Sequence, residues 1–359
     1  MPRVGIIGTR GIPNGHGGFE RFVELLVEHP GWAASDISFV IYGEGPDQEF
    51  NATTSLRSVG FTKDSKPFGY YFRSAILASE ECDVVLSCGV GISIFAFWPM
   101  LKGKPFVVNP DGCEWRRTKW SAAGRQAIRL MYAPAIAAAR RVVIDAEALR
   151  ADFGLGEKAE YIAYPAPVPT ASALAASTAA KFSVTKPYVL AVARLEPENN
   201  VQLVLEAFRR LGREDVELLV VGGTGTTYFK NYLAKFEGPS VRFVGSIYDQ
   251  DVLNQLRSNA FAYFHGHSVG GTNPSLLEAL STVQGQLVCH ENKYNREVAG
   301  TQAAYVRDAD ELIPLLNTLA DSALRDDWQR RQPSRDDRFH PDTIHRRYRE
   351  LFEGLNAAR

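Results

Sequence analysis

A chain of 359 residues is too long for one small core, so two domains are the default. With 45% apolar and 23% charged residues it has an ordinary globular composition, and a net charge of −1 argues against a general nucleic-acid binder. The four cysteines, Cys82, Cys88, Cys113 and Cys289, form no Cys-x-x-Cys pair, so neither a zinc site nor a disulfide framework is expected and a reducing cytosol fits.

The N-terminus runs directly into an apolar strand at Arg3–Gly8, so no signal peptide is expected. A long glycine-rich loop follows, from Gly8 to Glu20, and then an apolar helix through Phe22, Leu25 and Leu26. Gly5, Gly8 and Gly11 do not have the Gly-x-Gly-x-x-Gly spacing, which argues against a dinucleotide site for NAD. Strands are expected at 37–42, 83–87, 105–109 and 141–145, with helices at 71–80 and 121–139. The longest apolar run, Cys88–Leu101, falls short of the ~20 residues that span a bilayer. Alternating strands and helices predict a parallel, doubly wound sheet.

Between Tyr164 and Pro187 the composition shifts to Pro, Ala, Ser and Thr, which reads as an interdomain linker or surface excursion. The pattern then restarts. Strands are expected at 188–193, 216–222, 241–244 and 260–264, with helices at 201–211 and 251–257. The expected organisation is α/β, two doubly wound Rossmann-like domains facing across a cleft. The boundaries are 1–167 for the first domain and 168–340 for the second, and the charged segment from Arg325 to Arg359, with Tyr348, Leu351 and Phe352 as apolar anchors, reads as helical. Ligands in such sheets sit outside the carboxyl ends of the strands. Arg194, Gly222-Gly223, Gly245 and the loop at Gly270 all fall at such ends.

The most informative stretch is Gly266–Leu280. An apolar strand leads into a Gly-rich loop, and Asn273-Pro274 has the form of a helix start. That arrangement points backbone N–H groups of Gly271, Thr272 and Asn273, with the positive end of the helix dipole, at an anion such as a diphosphate. Glu278, one turn into the helix, suits the hydroxyls of a ribose. A diphosphate and a ribose together describe a nucleotide-sugar. Ser275-x-x-Glu278 also fits a capping box that needs no ligand. Asp249-x-Asp251 has the form of a metal motif but fits a helix cap better, and no metal is expected. His265 and His267 share a face with no third ligand nearby. His267 therefore reads as a donor-pocket hydrogen-bonding residue, with His16 as a second candidate.

The second half resembles the nucleotide-sugar domain of the retaining GT-B glycosyltransferases of family four, through Ala193–Asn199 and Gly270–Glu278. The first half, through Gly8–Glu20 and Asp111–Trp120, is similar to the bacterial capsule, O-antigen and cell-wall rhamnosyltransferases. Two positions depart from the broad family: Asn199 stands where it has a phosphate-binding lysine, and Gly270 where it has the first of two glutamates. The narrower group shares this pattern, and the resemblance implies dTDP-L-rhamnose as donor, no cofactor, transfer with retention onto a polyprenyl-diphosphate-linked saccharide, and a terminal helix from about 341 to 359 that crosses back to the first domain. Arg194 and Glu278 keep their matches. On this reading Asp111, Arg194 and Glu278 are catalytic. Gly17, Gly18, Glu20, Asn199, Gly223, His267, Gly270, Gly271, Thr272, Asn273 and Ser275 bind substrate. Asp111 in Asn109-Pro110-Asp111-Gly112 reads equally as a turn residue. A UDP-hexose donor, or a sugar-nucleotide epimerase or hydrolase of the same fold, remains an alternative.

Trp115, Arg116, Arg117, Lys119 and Trp120, with Arg125 and Arg129 beyond them, put aromatic and cationic groups together. They suit an anionic membrane surface and a lipid-linked acceptor, with the apolar run at Gly89–Leu101 as an adjacent patch. That predicts a cytoplasmic protein held peripherally at the inner face of the membrane. The same residues read equally as a solvated face over a core formed by Ile128, Met131 and Ala135.

Overall fold

The computed structural model describes residues 2–13, 17–116, 120–168, 171–325 and 336–357. The chain divides into two compact units. One contains Met1–Ala166, Gly270–Pro274 and Asp336–Arg359, and the other Pro167–Val269 and Ser275–Arg335. Gly270–Pro274, expected with the second domain, therefore groups with the first.

The sheet of the first unit contains β1 (Arg3–Ile7), β2 (Ser38–Gly43), β3 (Gln48–Asn51), β4 (Thr54–Ser58), β5 (Val84–Cys88), β6 (Phe106–Asn109), β7 (Arg141–Ile144) and β8 (Ala159–Tyr161). Their order is β3-β4-β2-β1-β5-β6-β7-β8, all parallel except the β3–β4 pair. The central strands are covered on both faces, so β5 is buried at every residue and reads as a continuous apolar run rather than an alternation. β3 and β4 carry no sequence expectation because an edge hairpin of Gln, Glu, Asn, Thr and Ser offers no apolar run. The helices include Gly18–Val27, Pro67–Glu81 and Ala122–Ala138, the last capped by Ser121 through Gly124 N–H. The terminal helix Pro341–Ala357 buries Ile344, Tyr348, Leu351, Phe352 and Leu355 in this unit. Tyr164, at the start of the expected linker, is instead core, stacked on Phe22 at 4.7 Å.

The second unit holds β9 (Tyr188–Val192), β10 (Glu217–Val221), β11 (Val241–Gly245), β12 (Ala262–His265), β13 (Gln286–His290) and β14 (Ala303–Val306). All are parallel, in the order β11-β10-β9-β12-β13-β14. The helix Val201–Leu211 buries Val201, Val204, Leu205 and Phe208 against this sheet, the spacing of one helical face. Leu312, Leu316 and Ala320 of the helix Ala309–Arg325 join the same core. Two doubly wound Rossmann-like units are thus present, as the alternation of strands and helices predicts.

Candidate functional site

In each sheet the direction of winding reverses beside the first strand. That reversal opens a crevice above the carboxyl ends of two neighbouring strands. In the second unit it lies between β9 and β12.

Beyond β9 the chain turns through Ala193–Glu196 and presents Arg194 as an exposed cation. Gly222, just past β10, lies so close that a Cβ there would sit 2.2 Å from the Ala193 carbonyl oxygen. Only glycine permits that approach. The loops after β9 and β12 are stitched together. Ser268 donates its N–H and its hydroxyl to the Glu198 carbonyl at 3.0 and 2.8 Å, and Asn200 Nδ2 donates to the Gly266 carbonyl at 2.8 Å. Asn199 is buried and donates Nδ2 to the Arg194 carbonyl at 2.7 Å. It shapes the loop that carries Arg194, where sequence reasoning assigned it to substrate. Gly223 lies at the same edge and is partly exposed.

His267 follows β12. Its carbonyl accepts from Asn292 Nδ2 and Asn295 Nδ2 at 3.0 and 2.9 Å, and its ring stacks on His265 with centroids 4.5 Å apart. Burial holds the His265 pKa well below its ordinary value, so that ring is neutral at physiological pH. Glu278 of the helix Pro274–Thr282 accepts from Arg257 Nη2 at 2.6 Å. Both side chains are buried. Burial works against the Arg257 charge, and Glu278 and Tyr263 together more than offset it, leaving the Arg257 pKa raised. Ser275 Oγ lies 2.9 Å from Tyr263 Oη. Ser275 and Glu278 are therefore both engaged with residues of the preceding strand and helix. Asp249 caps the helix Gln250–Asn259, accepting from Asp251 and Val252 N–H at 3.0 and 3.2 Å, as a cap rather than a metal motif. Among the described residues no cluster of three His, Cys, Asp or Glu side chains could hold a metal ion.

In the first unit the reversal lies between β1 and β5. Gly8 leaves β1 with φ +92° and so close to β5 that a Cβ would fall 2.2 Å from the Cys88 carbonyl oxygen. Lys63 Nζ donates to the Gly8 carbonyl at 2.7 Å. Arg10 N–H donates to the buried Glu20 carboxylate at 2.8 Å, while its guanidinium pairs with Asp64 at 2.9 and 2.7 Å and with Glu44 at 3.3 Å. Glu20 thus anchors its own loop, a structural duty beside the substrate contact expected of it. Gly17 and Gly18 open the helix Gly18–Val27 at the surface. His16 lies outside the described residues.

Asp111 follows β6 with φ +64°, and its N–H donates to Asn109 Oδ1 at 3.0 Å. The turn reading is seen here. It is a turn residue, and it holds a left-handed conformation of the kind that gathers at functional sites. Burial first, and the Asp111 carboxylate after it, push the Tyr132 hydroxyl pKa up. Asp145, at the end of β7 and fully buried, accepts Thr272 N–H on Oδ2 at 2.9 Å and the Thr272 hydroxyl on its carbonyl. A Cβ on Gly271 would fall 2.1 Å from Asp145 Oδ1, and one on Gly112 would fall 2.3 Å from Gly270 Cα. This corrects one expectation. The Thr272 N–H, assigned to a diphosphate, is occupied by Asp145, because a buried carboxylate needs a donor. Asn273 precedes the helix and is partly exposed.

The expected aromatic and cationic cluster also resolves differently. Trp115 packs edge-on against Tyr132 at 4.5 Å and Phe153 at 5.5 Å, so its half-buried ring is engaged by the unit. Arg116 pairs with Asp152 at 2.8 Å. Trp120 stays exposed and donates Nε1–H to Glu114 at 3.2 Å. Arg117 and Lys119 lie outside the described residues. Sequence reasoning missed Asp145 and Arg257. Asp145 stood at a strand end like Asp111, which was a usable signal. Arg257 looked like an ordinary helical arginine.

Residues 176–327 match the family described as glycosyl transferases group 1, and residues 78–167 match a domain of unknown function (DUF1972). No curated protein matches the chain. Among solved structures, the fold is similar to a sucrose-phosphate synthase from Thermosynechococcus elongatus, at TM-score 0.76 and 15% identity over 100% of both chains. It is also similar to HepE from Anabaena in complex with UDP and glucose, at TM-score 0.72 and 15% identity over 99% of this chain and 100% of that one. An α,α-trehalose 6-phosphate synthase from Burkholderia multivorans matches at TM-score 0.67 and 12% identity over 100% of both chains. The chain therefore carries a glycosyl transferases group 1 domain at residues 176–327, within a GT-B fold of two Rossmann-like units.

Proposed function

We propose that this protein is a glycosyltransferase that takes a sugar from a nucleoside diphosphate. The observation that carries the reading is the exposed Arg194 beside the Gly222–Gly223 turn, at the winding reversal of a unit that matches the group 1 family. In the reaction the bond from the anomeric carbon to the diphosphate breaks and a bond to the acceptor oxygen forms. The acceptor proton passes to the departing phosphate, with retention of configuration. Negative charge develops on the diphosphate, and Arg194 with neighbouring backbone N–H groups is placed to stabilise it. Glu278 serves the ribose hydroxyls through the lone pairs left beside its Arg257 contact. Asp111 orients sugar hydroxyls. Diphosphate charge met by a guanidinium makes the reaction metal-independent.

For the donor we propose dTDP-L-rhamnose, because Gly270 stands where the resemblance to the broad family would put the first of two glutamates, which implies a donor other than the usual UDP-hexose. The acceptor proposed is a polyprenyl-diphosphate-linked saccharide at the cytoplasmic face of a membrane. A second donor, UDP-glucose, is favoured by a similar structure described as a complex with that nucleotide-sugar. A thermal-shift panel of dTDP-rhamnose, UDP-glucose, UDP-GlcNAc, GDP-mannose and NAD separates these readings. The true donor stabilises by about 2.7 kcal/mol at a hundred times its Kd. Stabilisation by none of the nucleotide-sugars, or by NAD alone, overturns the proposal. Transfer abolished by EDTA and restored by magnesium overturns the metal-independent step.

A further inference from the structure

Nine of the twelve large apolar side chains that stand exposed among the described residues fall between Phe68 and Met131, and all but Trp120 lie on three neighbouring segments of the first unit. The short helix Phe97–Leu101 and the turn before it present Ile94, Phe97, Met100 and Leu101 to solvent, Leu101 at 69% exposure. The helix Ala122–Ala138 adds Leu130 and Met131 and buries only Tyr132 and Ala135 of its seventeen residues. Phe72 of the helix Pro67–Glu81 bridges the segments, its ring 5.2 Å from Phe95 and 6.2 Å from Trp98. The Ser93 hydroxyl donates to the Met131 carbonyl and joins the other pair. A soluble monomer rarely exposes a continuous apolar patch of this kind without a partner for it.

Charge identifies the partner. Exposed Arg73, Lys102, Arg125 and Arg129 stand on these segments or next to them, and Lys102 lies 5.9 Å from the Trp98 ring centroid. No acidic residue occurs from Val84 to Lys104 or from Trp115 to Ile144, in a chain whose net charge is −1. A second copy docked on the same face by a two-fold axis would bring these cations against one another. Apolar side chains bordered by long cationic ones match the boundary between anionic headgroups and acyl chains.

We infer that this face, formed by Phe72, Ile94–Leu101 and Leu130–Met131 and bordered by Lys102, Arg125 and Arg129, docks reversibly on an anionic lipid bilayer. The inference deepens the proposed lipid-linked acceptor and moves the membrane contact away from Trp115 and Arg116, which the fold has already engaged.

The test is sedimentation of the full-length protein with phosphatidylcholine vesicles, with or without phosphatidylglycerol. The wild type should bind only the anionic vesicles, and salt should release it. The double variants Phe97→Gln/Leu101→Gln and Arg125→Gln/Arg129→Gln remove only exposed side chains. Each should weaken vesicle binding by about tenfold or more, with the melting temperature and nucleotide-sugar affinity unchanged. Equal binding to neutral vesicles, no binding at all, or wild-type binding by both variants overturns the inference. So does a shift from dimer to monomer in ultracentrifugation with vesicle binding unaltered, which would make the face a self-interface. Absence of vesicle binding by the wild type, with its donor binding intact, sinks this inference alone and leaves the donor reading standing.

Discussion

At the scale of single residues, Arg194 and Glu278 were legible as a pair and turn out to differ in kind. Arg194 is exposed and holds nothing up, so Arg194→Gln should leave the melting temperature unchanged. Loss of a charge-assisted contact to a diphosphate should weaken donor affinity by about ten- to a hundredfold, read by calorimetry. Unchanged affinity would remove Arg194 from the site. Glu278 is an internal partner as well as a candidate ligand, because its carboxylate faces the fully buried Arg257. Glu278→Gln leaves that guanidinium buried without its counter-charge and should cost about 3–5 kcal/mol of stability. The expectation from position alone was weaker donor binding in a stable fold. A double-mutant cycle with Arg257→Met separates the two roles. A coupling energy near zero in unfolding would return Glu278 to ligand binding only.

At the scale of elements, the strand-to-loop junction after β12 makes a pH-dependent contribution. His265 is fully buried under the His267 ring, and its pKa is lowered well below 6.5, first by burial and then by the neighbouring His267 and His290. Below pH 6.5 the unfolded chain takes up a proton that the folded chain refuses. Stability is therefore complete above that pH and falls as pH drops below it, by up to about 1.4 kcal/mol per pH unit. The urea midpoint should decline from pH 7 to pH 5, and His265→Asn should flatten the decline. A midpoint that rises on acidification would contradict a neutral buried His265. The cap of the helix Gln250–Asn259 is a simpler case. Asp249→Ala removes a carboxylate that accepts two N–H groups and should lower stability by about 1 kcal/mol, with transfer activity retained. A large loss of activity would reopen the metal reading of Asp249-x-Asp251.

At the scale of the whole molecule, the last helix completes the first unit. Five of its side chains, Ile344, Tyr348, Leu351, Phe352 and Leu355, are buried there, and Tyr348 lies 5.7 Å from Phe22 in the helix Gly18–Val27. Burial of large apolar side chains contributes about 1.5–3 kcal/mol each, so their sum rivals the whole stability of a typical domain. A chain ending at His340 should lose the first unit's fold and become sensitive to limited proteolysis between residues 1 and 166. A protease-resistant truncated protein would show that the helix is an accessory.

Periodicity and composition alone carried the alternation of strands and helices, the restart of the pattern near Tyr188, the terminal helix and the placement of glycines at strand ends. Each rests on local rules: buried parallel strands must be apolar throughout, and close backbone approach excludes a Cβ. Gly8 and Gly222 stood at expected strand ends for that reason. The partnerships of polar groups were not. Asp145 with Thr272 is 127 residues apart in sequence, and Arg257 with Glu278 depends on how the helices Gln250–Asn259 and Pro274–Thr282 pack. A buried charge needs a partner, but nothing in its own neighbourhood says which one, so only the tertiary structure decided that Thr272 serves Asp145 and that Trp115 belongs to an aromatic cluster. The same holds for the apolar face at Ile94–Leu101. Its run was legible as a patch beside the basic cluster, and only the packing of three segments shows which of its side chains were left outside.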